Sequence, residues 1–392
     1  MISVDEARTA LLSLAAPLEI EDSPVRQAIG RVLARDMSAP RPQPPFPASA
    51  MDGYAVPDMA PKPGQTFTIV GTSAAGHPFP GALQDGEAVR IFTGAPVPDH
   101  TRHILIQEDV DRQDDRITVG PTPDEAAYIR PAGGDFEAGF VLSGGRVLRP
   151  QDIALLGAMG HGSIPVHRAP VVAILSTGDE LRAPGTLPEP GTIFASNGDA
   201  LAGLVDGWGG IGQRLPLVRD TRESLALAFE LARDADLLLT VGGASVGDHD
   251  LVAPAAQAAG FRLQFQKVAM RPGKPLMAGQ KPGQIMVGLP GNPVSAFVCA
   301  LVFIRPMIAR FLGLPDQDET EHRILAAPIS ANGPRTHYMR AKTMPDGRSR
   351  VAERQDSSLL SVLAASDHLV IRPPYDPARD AGTQIRTLAL PR

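Results

Sequence analysis

The sequence predicts a multidomain α/β protein that combines one doubly wound α/β domain with two β-rich domains and a linking domain. Residues 170–313 alternate short apolar, strand-like runs with helix-like segments, which is the pattern of a parallel sheet covered by helices. Strand-like runs separated by Pro, Gly and Asp turns fill residues 52–135, and they recur after the acidic segment Leu314–Glu321. Three apolar runs of the α/β region break into glycine-bearing polar loops, which favours a ligand site at the carboxyl edge of the sheet.

Composition excludes several classes of protein. A chain of 392 residues is too long for one typical core, and 43% apolar with 20% charged residues is ordinary for a soluble protein. The net charge of −6, with no long basic run, argues against nucleic-acid binding. The one cysteine, Cys299, lies in an apolar stretch, so it is expected to be a core residue and excludes a disulfide within the chain. Without a basic leader or a stretch approaching membrane-spanning length, we expect a cytoplasmic protein with no membrane partner.

Local signals predict the elements of the amino-terminal half. Ser3 and Glu6 have capping-box spacing and open a helix that Pro17 ends. A second helix is predicted over Val25–Asp36, and five prolines from Pro40 to Pro47 predict a stiff connector. Predicted strands of the first β-rich region are Thr66–Val70, Ala88–Phe92, His103–Asp109 and Arg116–Val119.

The carboxyl-terminal half is predicted in the same way, starting with the helix-like run Gln151–Met159. The α/β strands are predicted at Val171–Ser176, Gln213–Leu217, Leu237–Val241 and Ile285–Leu289. The helices that follow them are predicted near Asn197–Trp208, Thr221–Asp234, Leu251–Ala259 and Pro293–Leu312. The strand-like runs of the last region are Arg323–Ile329, His337–Thr343, Leu369–Ile371 and Gln384–Leu388.

These elements predict four domains, two of them discontinuous in sequence. Residues 20–45 and 139–168 form the linking domain, because a chain that builds an insert and returns brings its flanking segments together. Residues 46–138 form the inserted β-rich domain, and residues 316–392 form a small carboxyl-terminal β domain. Residues 1–19 and 169–315 form the α/β domain.

Two glycine loops of the α/β domain could hold an anion. In the segment Gly288–Ser295 a strand ends and a helix begins, with Asn292 at the N-cap and Pro293 at the first helical position. Free N–H groups of that first turn could bind phosphate, although a helix start without ligand has the same sequence. In Val241–Gly247 the glycines allow close backbone approach, and neither loop has the Gly-Lys-Ser/Thr of the Walker pattern.

Acidic and basic side chains accompany these loops. Asp248 and Asp250 follow the second loop, Glu180 ends the loop after the first strand, and Asp220 follows the next apolar run. Carboxylates beside a bound anion indicate a bridging Mg²⁺. The alternative interpretation is that these acids lie in solvated turns without a ligand. The segment KVAMRPGKP supplies positive charges that could clamp an oxyanion, or it is a plain solvated basic loop.

Seven motifs in this order resemble the molybdopterin molybdenumtransferase family, to which the E domain of gephyrin belongs. They are SAMDGYAV (49–56), RIFTGAPVP (90–98), IRPAGGD (129–135), LSTGDEL (175–181), GGASVGDHD (242–250), RPGKP (271–275) and GLPGNPVSA (288–296). The resemblance implies an elongated subunit in a homodimer, with molybdate and adenylylated molybdopterin as substrates and molybdenum cofactor and AMP as products. It also implies a requirement for Mg²⁺, and other cofactor-synthesis proteins and apo-molybdoenzymes as further partners.

The resemblance carries residue roles onto this sequence. The implied catalytic residues are Asp52, Thr93, Glu180, Asp220, Asp250 and Lys274, and the implied metal ligands are Glu180, Asp220 and Asp250. The implied substrate-binding residues are Arg130, Asp135, Ser176, Thr177, Gly178, Asp179, Gly242, Gly243, Ser245, Gly247, Lys267, Arg271, Pro290, Gly291, Asn292, Pro293, Ser295, Arg340 and Ser357. Molybdate is expected near Arg271, Lys274 and Ser357, with further charge from Arg340. By the same resemblance Asp52, Thr93, Arg130 and Asp135 of one subunit face the α/β crevice of the other.

The sequence departs from the family pattern at a few positions, and two other functions stay open. Arg271 stands where the family's KPGKP loop has lysine, Arg130 stands alone where an arginine run is usual, and Asp248 has no clear role. One alternative is a non-catalytic molybdopterin-binding scaffold, against which the set of acids argues. The other is the preceding adenylyltransfer step, which does not require the motifs at 49–56 and 90–98.

Overall fold

The computed structural model describes residues 1–187, 189–243, 251–315 and 318–391. Its central feature is a mixed six-stranded sheet, and the predicted α/β core is confirmed. The strand order is Ile211–Arg214, Val171–Ser176, Leu237–Val241, Gln284–Leu289, Pro275–Lys281 and Arg262–Lys267. The first four strands are parallel, and the last two form an antiparallel edge. That edge was not predicted, because its charged residues and glycines suggested a loop.

Both faces of this sheet are covered, as expected for a doubly wound layer. Val172, Ile174 and Leu239 pack into one core, while Ala173 and Leu175 pack into the other, so successive side chains alternate between the two faces. The helices of this region are Val4–Leu14, Asn197–Gly207, Arg222–Leu231, Val252–Ala258, Pro293–Cys299 and Arg305–Phe311. The capping box predicted at Ser3 and Glu6 is present, with Glu6 N donating to Ser3 Oγ at 3.1 Å.

The helical run Pro293–Phe311 is continuous through a π-helical turn at Ala300–Ile304. The π turn precedes Pro306, which has no N–H for a regular helical bond and whose ring would clash with the preceding turn. This run has 19 residues and is apolar enough to cross a membrane, so the prediction that no stretch approaches that length is wrong here. Because 67% of an 18-residue stretch of this run is buried inside the protein, it is a core helix of the α/β layer.

The segments that flank the first β-rich region share one sheet. Its strand order is Ile20–Pro24, Ser163–His167, Val32–Leu33 and Arg146–Val147, with the helix Pro150–Ala158 packed nearby. The helix predicted over Val25–Asp36 is wrong: only Val25–Gln27 is helical, as a 3₁₀ turn, and Met37–Ser38 pairs with Val141–Leu142. Pairing across more than 100 residues overrides the local helical pattern here, because Val32 and Leu33 are fully buried between strands. The domain boundaries themselves stay predictions.

The inserted β-rich region contains a second six-stranded sheet. Its order is His103–Ile106, Gly53–Val56, Glu87–Ile91, Thr66–Ser73, Arg116–Val119 and Val110–Gln113, with a 3₁₀ turn at Gln107–Asp109. A short ladder joins Ala48–Ser49 to Ile129–Arg130. The predicted β-rich character of this region is confirmed.

The carboxyl-terminal region is also β-rich, as predicted. Its sheet contains Met270–Arg271, Thr336–Thr343, His368–Arg372, Gln384–Ala389 and Thr320–Ile324, with Ser349–Val351 at the side, and Leu360–Ala364 is helical. The strand Met270–Arg271 belongs by sequence to the α/β region, yet it pairs in parallel with Thr336–Thr343. The basic loop of the α/β region is therefore anchored on the carboxyl-terminal sheet.

Candidate functional site

The loops that follow adjacent parallel strands meet at the carboxyl edge of the α/β sheet. Thr177 N donates to Val241 O at 3.2 Å, and Gly242 N donates to Leu289 O at 3.3 Å. Gly178 N donates to Val218 O at 3.3 Å, which extends the row to the segment that follows the edge strand. The ends of these strands thus form one continuous border of backbone groups.

Gly242 permits the closest approach in this border. Its φ is +95°, and a Cβ atom added there would lie 2.6 Å from Thr177 O, closer than non-bonded atoms approach. A Cβ on Gly291 would lie 3.6 Å from the Gly242 Cα, an ordinary contact. Among the described residues, backbone atoms of the three loops therefore approach one another closely at Gly242, a surface suited to phosphate oxygens.

Two of the predicted carboxylates lie against the Thr177–Gly178 turn. Thr177 Oγ1 donates to Asp220 Oδ1, and the Glu180 carboxylate covers Gly178, whose Cβ position is 2.6 Å from Glu180 Oε2. Ser245, Gly247, Asp248, His249 and Asp250 lie outside the described residues. Within the described ranges no group of three or more His, Cys, Asp or Glu side chains could hold a metal ion. Mg²⁺ commonly takes one or two carboxylates together with substrate phosphates and water, so the donor set at this turn fits it.

The first turn of the helix at Asn292 contacts Ser357 of the carboxyl-terminal region, a contact that was not predicted. Asn292 is at the N-cap position, but its side chain makes no capping bond and instead donates through Nδ2 to Ser357 Oγ at 2.9 Å. Ser357 O accepts from Val294 N at 3.2 Å. The carboxyl-terminal region thus uses one first-turn N–H group that the sequence left free for phosphate, and it brings Ser357 to the crevice.

Asn197 is a residue of this border that sequence reasoning missed. It begins the helix Asn197–Gly207, and its Nδ2 donates to Gly291 O at 2.8 Å. Next to it, the buried Gly198 leaves room for Ser176 Oγ, which is 3.3 Å from the position that a Cβ would take. A polar residue at a helix start after a long loop was the available signal, but it did not indicate that the side chain reaches another strand's loop.

The basic loop is fixed by backbone bonds and exposes its charges. Val268 N donates to Lys274 O at 3.0 Å, and Ile2 N donates to Lys267 O at 3.2 Å. Arg271 and Lys274 are exposed. Beneath the loop Cys299 is fully buried, and burial raises the pKa of its thiol, as expected for a core residue rather than a nucleophile.

Arg340, the residue expected to add positive charge near molybdate, is buried in the carboxyl-terminal region. It is 1% exposed, and its Nε and Nη1 donate to Gln355 Oε1 at 3.2 Å and Leu359 O at 3.3 Å. Burial lowers the pKa of Arg340. Gln355, which sequence reasoning missed, donates through Nε2 to Arg340 O at 3.0 Å and Ala352 O at 2.8 Å. Arg340 is therefore a buried support for the loop that carries Ser357.

A second group of predicted residues lies in the β-rich insert. Asp52 Oδ1 accepts from Thr93 N at 2.7 Å and from Thr93 Oγ1 at 2.8 Å, and these bonds hold the pKa of the Asp52 carboxyl below its usual value. Arg130 pairs with Ala48 on the neighbouring ladder, and Asp135 N donates to Gln43 O at 2.9 Å. In the part of the chain that the structure describes, no hydrogen bond or ion pair joins this group to the crevice of the same chain.

Comparison with known proteins decides the family. The model described as "MoeA N-terminal region (domain I and II)" matches residues 2–160. "Probable molybdopterin binding domain" matches residues 173–310, and "MoeA C-terminal region (domain IV)" matches residues 323–390. The chain is 36% identical over 347 residues to Molybdopterin molybdenumtransferase 2 of Mycobacterium tuberculosis, covering 86% of this chain and 85% of that protein.

The chain belongs to the molybdopterin molybdenumtransferase family. A Haemophilus influenzae molybdopterin molybdenumtransferase is 35% identical over 326 residues, covering 82% of this chain and 80% of the relative. The crystal structure of a molybdopterin biosynthesis MoeA protein from Pyrococcus horikoshii superposes with a TM-score of 0.85 at 28% identity, over 99% of each chain. The predicted family membership is confirmed. The similarity to the Pyrococcus horikoshii structure extends over essentially the whole of this molybdopterin molybdenumtransferase.

Proposed function

We propose that this chain inserts molybdenum, delivered as molybdate, into adenylylated molybdopterin and releases AMP. The chain is a molybdopterin molybdenumtransferase; the adenylylated substrate, the metal requirement and the shared site are the finer parts of the proposal. The observation that supports them is one contiguous border at the α/β sheet. It runs from Ser357 through Asn292 and Gly291 to Gly242, and from there to the Thr177 turn with its two carboxylates.

The glycine loops are suited to the pyrophosphate of the adenylylated substrate. Gly242 and Gly291 expose backbone at close approach, so phosphate oxygens can reach N–H groups that a side chain would cover. Ser176 is buried beside them, and Asn197 holds the Gly291 carbonyl in place. This arrangement would fix the phosphates before any bond is broken, which is the positional contribution to catalysis.

Glu180 and Asp220, with Asp250 outside the described residues, would hold Mg²⁺ at the Thr177–Gly178 turn. The ion supplies neutralisation of pyrophosphate charge and polarisation of the bond to AMP. Asp220 is oriented by the Thr177 hydroxyl, while Glu180 folds back over Gly178. Both acids therefore face the same turn. A bound Mg²⁺ there would bridge the carboxylates to the phosphates and offset the repulsion between them.

Molybdate is an anion and would bind where exposed positive charge meets a hydroxyl. Arg271 and Lys274 are exposed on the basic loop, and Ser357 lies at the helix start of Asn292. Arg340 would act indirectly, through the loop that Gln355 fastens to it. The sulfur ligands for molybdenum belong to the pterin substrate, so the buried Cys299 has no part in the chemistry.

Asp52, Thr93, Arg130 and Asp135 would act across a homodimer, at the crevice of the partner subunit. The support is that Asp52 and Thr93 are paired and only partly covered, yet have no described bond to the crevice of their own chain. A polar pair prepared in this way fits a site completed by a second copy. We also propose a cytoplasmic location, with cofactor-synthesis proteins and apo-molybdoenzymes as further partners.

The test is AMP release from adenylylated molybdopterin by the purified chain with Mg²⁺, with and without molybdate. Release that requires molybdate, and cofactor able to activate an apo-molybdoenzyme, would support insertion. Tight binding without release would support the scaffold alternative, and consumption of ATP would support adenylyltransfer. Asp220→Ala should abolish turnover while pterin binding persists; loss of binding together with folding would assign Asp220 a structural role instead.

A further inference from the structure

Arg90 occupies an unusual position beside the Asp52–Thr93 pair. Its guanidinium carbon lies 5.0 Å from the ring centroid of Tyr54 and 4.8 Å from that of Phe92. Its Nη1 donates to Gly53 O at 3.1 Å, and its Nη2 donates to Gln107 Oε1 at 2.7 Å. One half-buried side chain therefore contacts two aromatic rings and two separate segments of the chain.

These contacts lie at the strand ends that carry the pair. Gly53 pairs with Ile91 and Tyr54 pairs with Arg90 in the antiparallel ladder. Asp52 directly precedes Gly53, and Thr93 directly follows Phe92, so each lies just beyond a segment that Arg90 holds. On the far side Gly53 is packed against the next strand, since a Cβ there would lie 1.9 Å from Leu105 O. Gly53, whose carbonyl accepts from Arg90, is thus packed on both sides.

We propose that Arg90 is a positioning residue that keeps Asp52 and Thr93 hydrogen-bonded to each other by clamping the two strand ends that carry them. The proposal rests on the proposed function, in which Asp52 and Thr93 serve the partner subunit's crevice. Arg90 itself touches neither substrate nor reacting atoms; it acts through the geometry of the pair.

Arginine is suited to this clamp and lysine is not. A planar guanidinium can stack on aromatic faces and still donate in its own plane in two directions, whereas an ammonium is a point charge without a plane. The charge also acts on the pair: the pKa of Asp52 is lowered first by the Thr93 backbone and hydroxyl bonds, and to a smaller extent by Arg90. Loss of the Arg90 contacts would weaken the Thr93 bonds, which lower the pKa of Asp52 most, and would also remove the smaller effect of the Arg90 charge.

The experiment compares Arg90→Met and Arg90→Lys with the matched control Arg112→Met in the full-length protein. Arg112 is an exposed arginine of the same region whose side chain donates to a carbonyl two residues away, its one side-chain bond among the described residues. Two readouts are taken on each variant: the carboxyl ¹³C titration of Asp52, assigned by its absence in Asp52→Asn, and the pH profile of kcat and KM for molybdate-dependent AMP release. Thermal unfolding confirms that each variant is folded.

We expect Arg90→Met to titrate Asp52 at higher pH and to lower kcat by roughly 10- to 100-fold with little change in KM, the loss expected for one charge-assisted hydrogen-bond arrangement. Arg90→Lys should recover part of both effects, and Arg112→Met should match the wild type. An unchanged Asp52 titration with a raised KM would overturn the proposal and make Arg90 a substrate contact. If the wild type releases no AMP, the proposed function fails, while the Asp52 titration still decides the role of Arg90.

Discussion

Gly242→Ala tests the close backbone approach that shapes the crevice. The substitution has two costs: a left-handed φ of +95°, and a Cβ placed 2.6 Å from Thr177 O. Gly260→Ala is the matched control, because Gly260 has a φ of +89° but no atom within 4 Å of its Cβ position. Backbone strain of about 1–3 kcal/mol is common to both variants. The contact with Thr177 O is present in Gly242→Ala alone, and overpacking of this kind costs about 1–3 kcal/mol.

The difference between the two variants is the quantity to measure. For a domain of this size about 1 kcal/mol corresponds to roughly 2–4 °C, so calorimetry should show Gly242→Ala melting about 2–12 °C below Gly260→Ala. The displaced Thr177 turn should also lower kcat/KM for AMP release by about tenfold, while Gly260→Ala should change it little. Equal melting temperatures and equal kcat/KM for the two variants would refute the steric argument.

Three further predictions concern the site. Thr93→Ala should raise the pKa of Asp52, because it removes the hydroxyl bond from Thr93 while the backbone N–H bond remains, so activity that needs the carboxylate should be lost at higher pH as the solution is acidified. Thr93→Ser should keep the wild-type pH profile, and an unshifted acid limb in Thr93→Ala would count against this pair. Gln355→Leu should raise KM for molybdate by about tenfold, because loss of the hydrogen bonds between Gln355 and Arg340 costs about 1–3 kcal/mol and loosens the loop that carries Ser357. Equilibrium binding of molybdate measures the change, and wild-type affinity would contradict an indirect role of Arg340. Chelation of divalent metal should stop AMP release reversibly. Glu180→Gln should raise the Mg²⁺ concentration needed for half-maximal release. The same Mg²⁺ dependence in the wild type and the variant would exclude Glu180 as a ligand.

The helices and strands that could be predicted are those with a strong local pattern. Leu237–Val241 and Arg116–Val119 have the predicted bounds, because short apolar or alternating runs between turn residues carry their own signal. The helix over Val25–Asp36 was wrong, since its periodicity competed with strand pairing to distant residues. The antiparallel strand Pro275–Lys281 was missed, because charge and glycine conceal a strand whose partner is supplied by the fold.

The sequence by itself determined the family, the β-rich and α/β regions, and the placement of glycine loops after buried strands, because all of these depend on residues that are close together along the chain. The tertiary structure alone decided that Ser357 occupies the helix start at Asn292, that Arg340 is buried, and that Gln355 joins it to the loop. It also decided that Arg90 contacts two aromatic rings near Asp52. The physical reason is that these contacts join separate strands and loops, and a side chain's partner across such a distance has no periodic signature in the sequence.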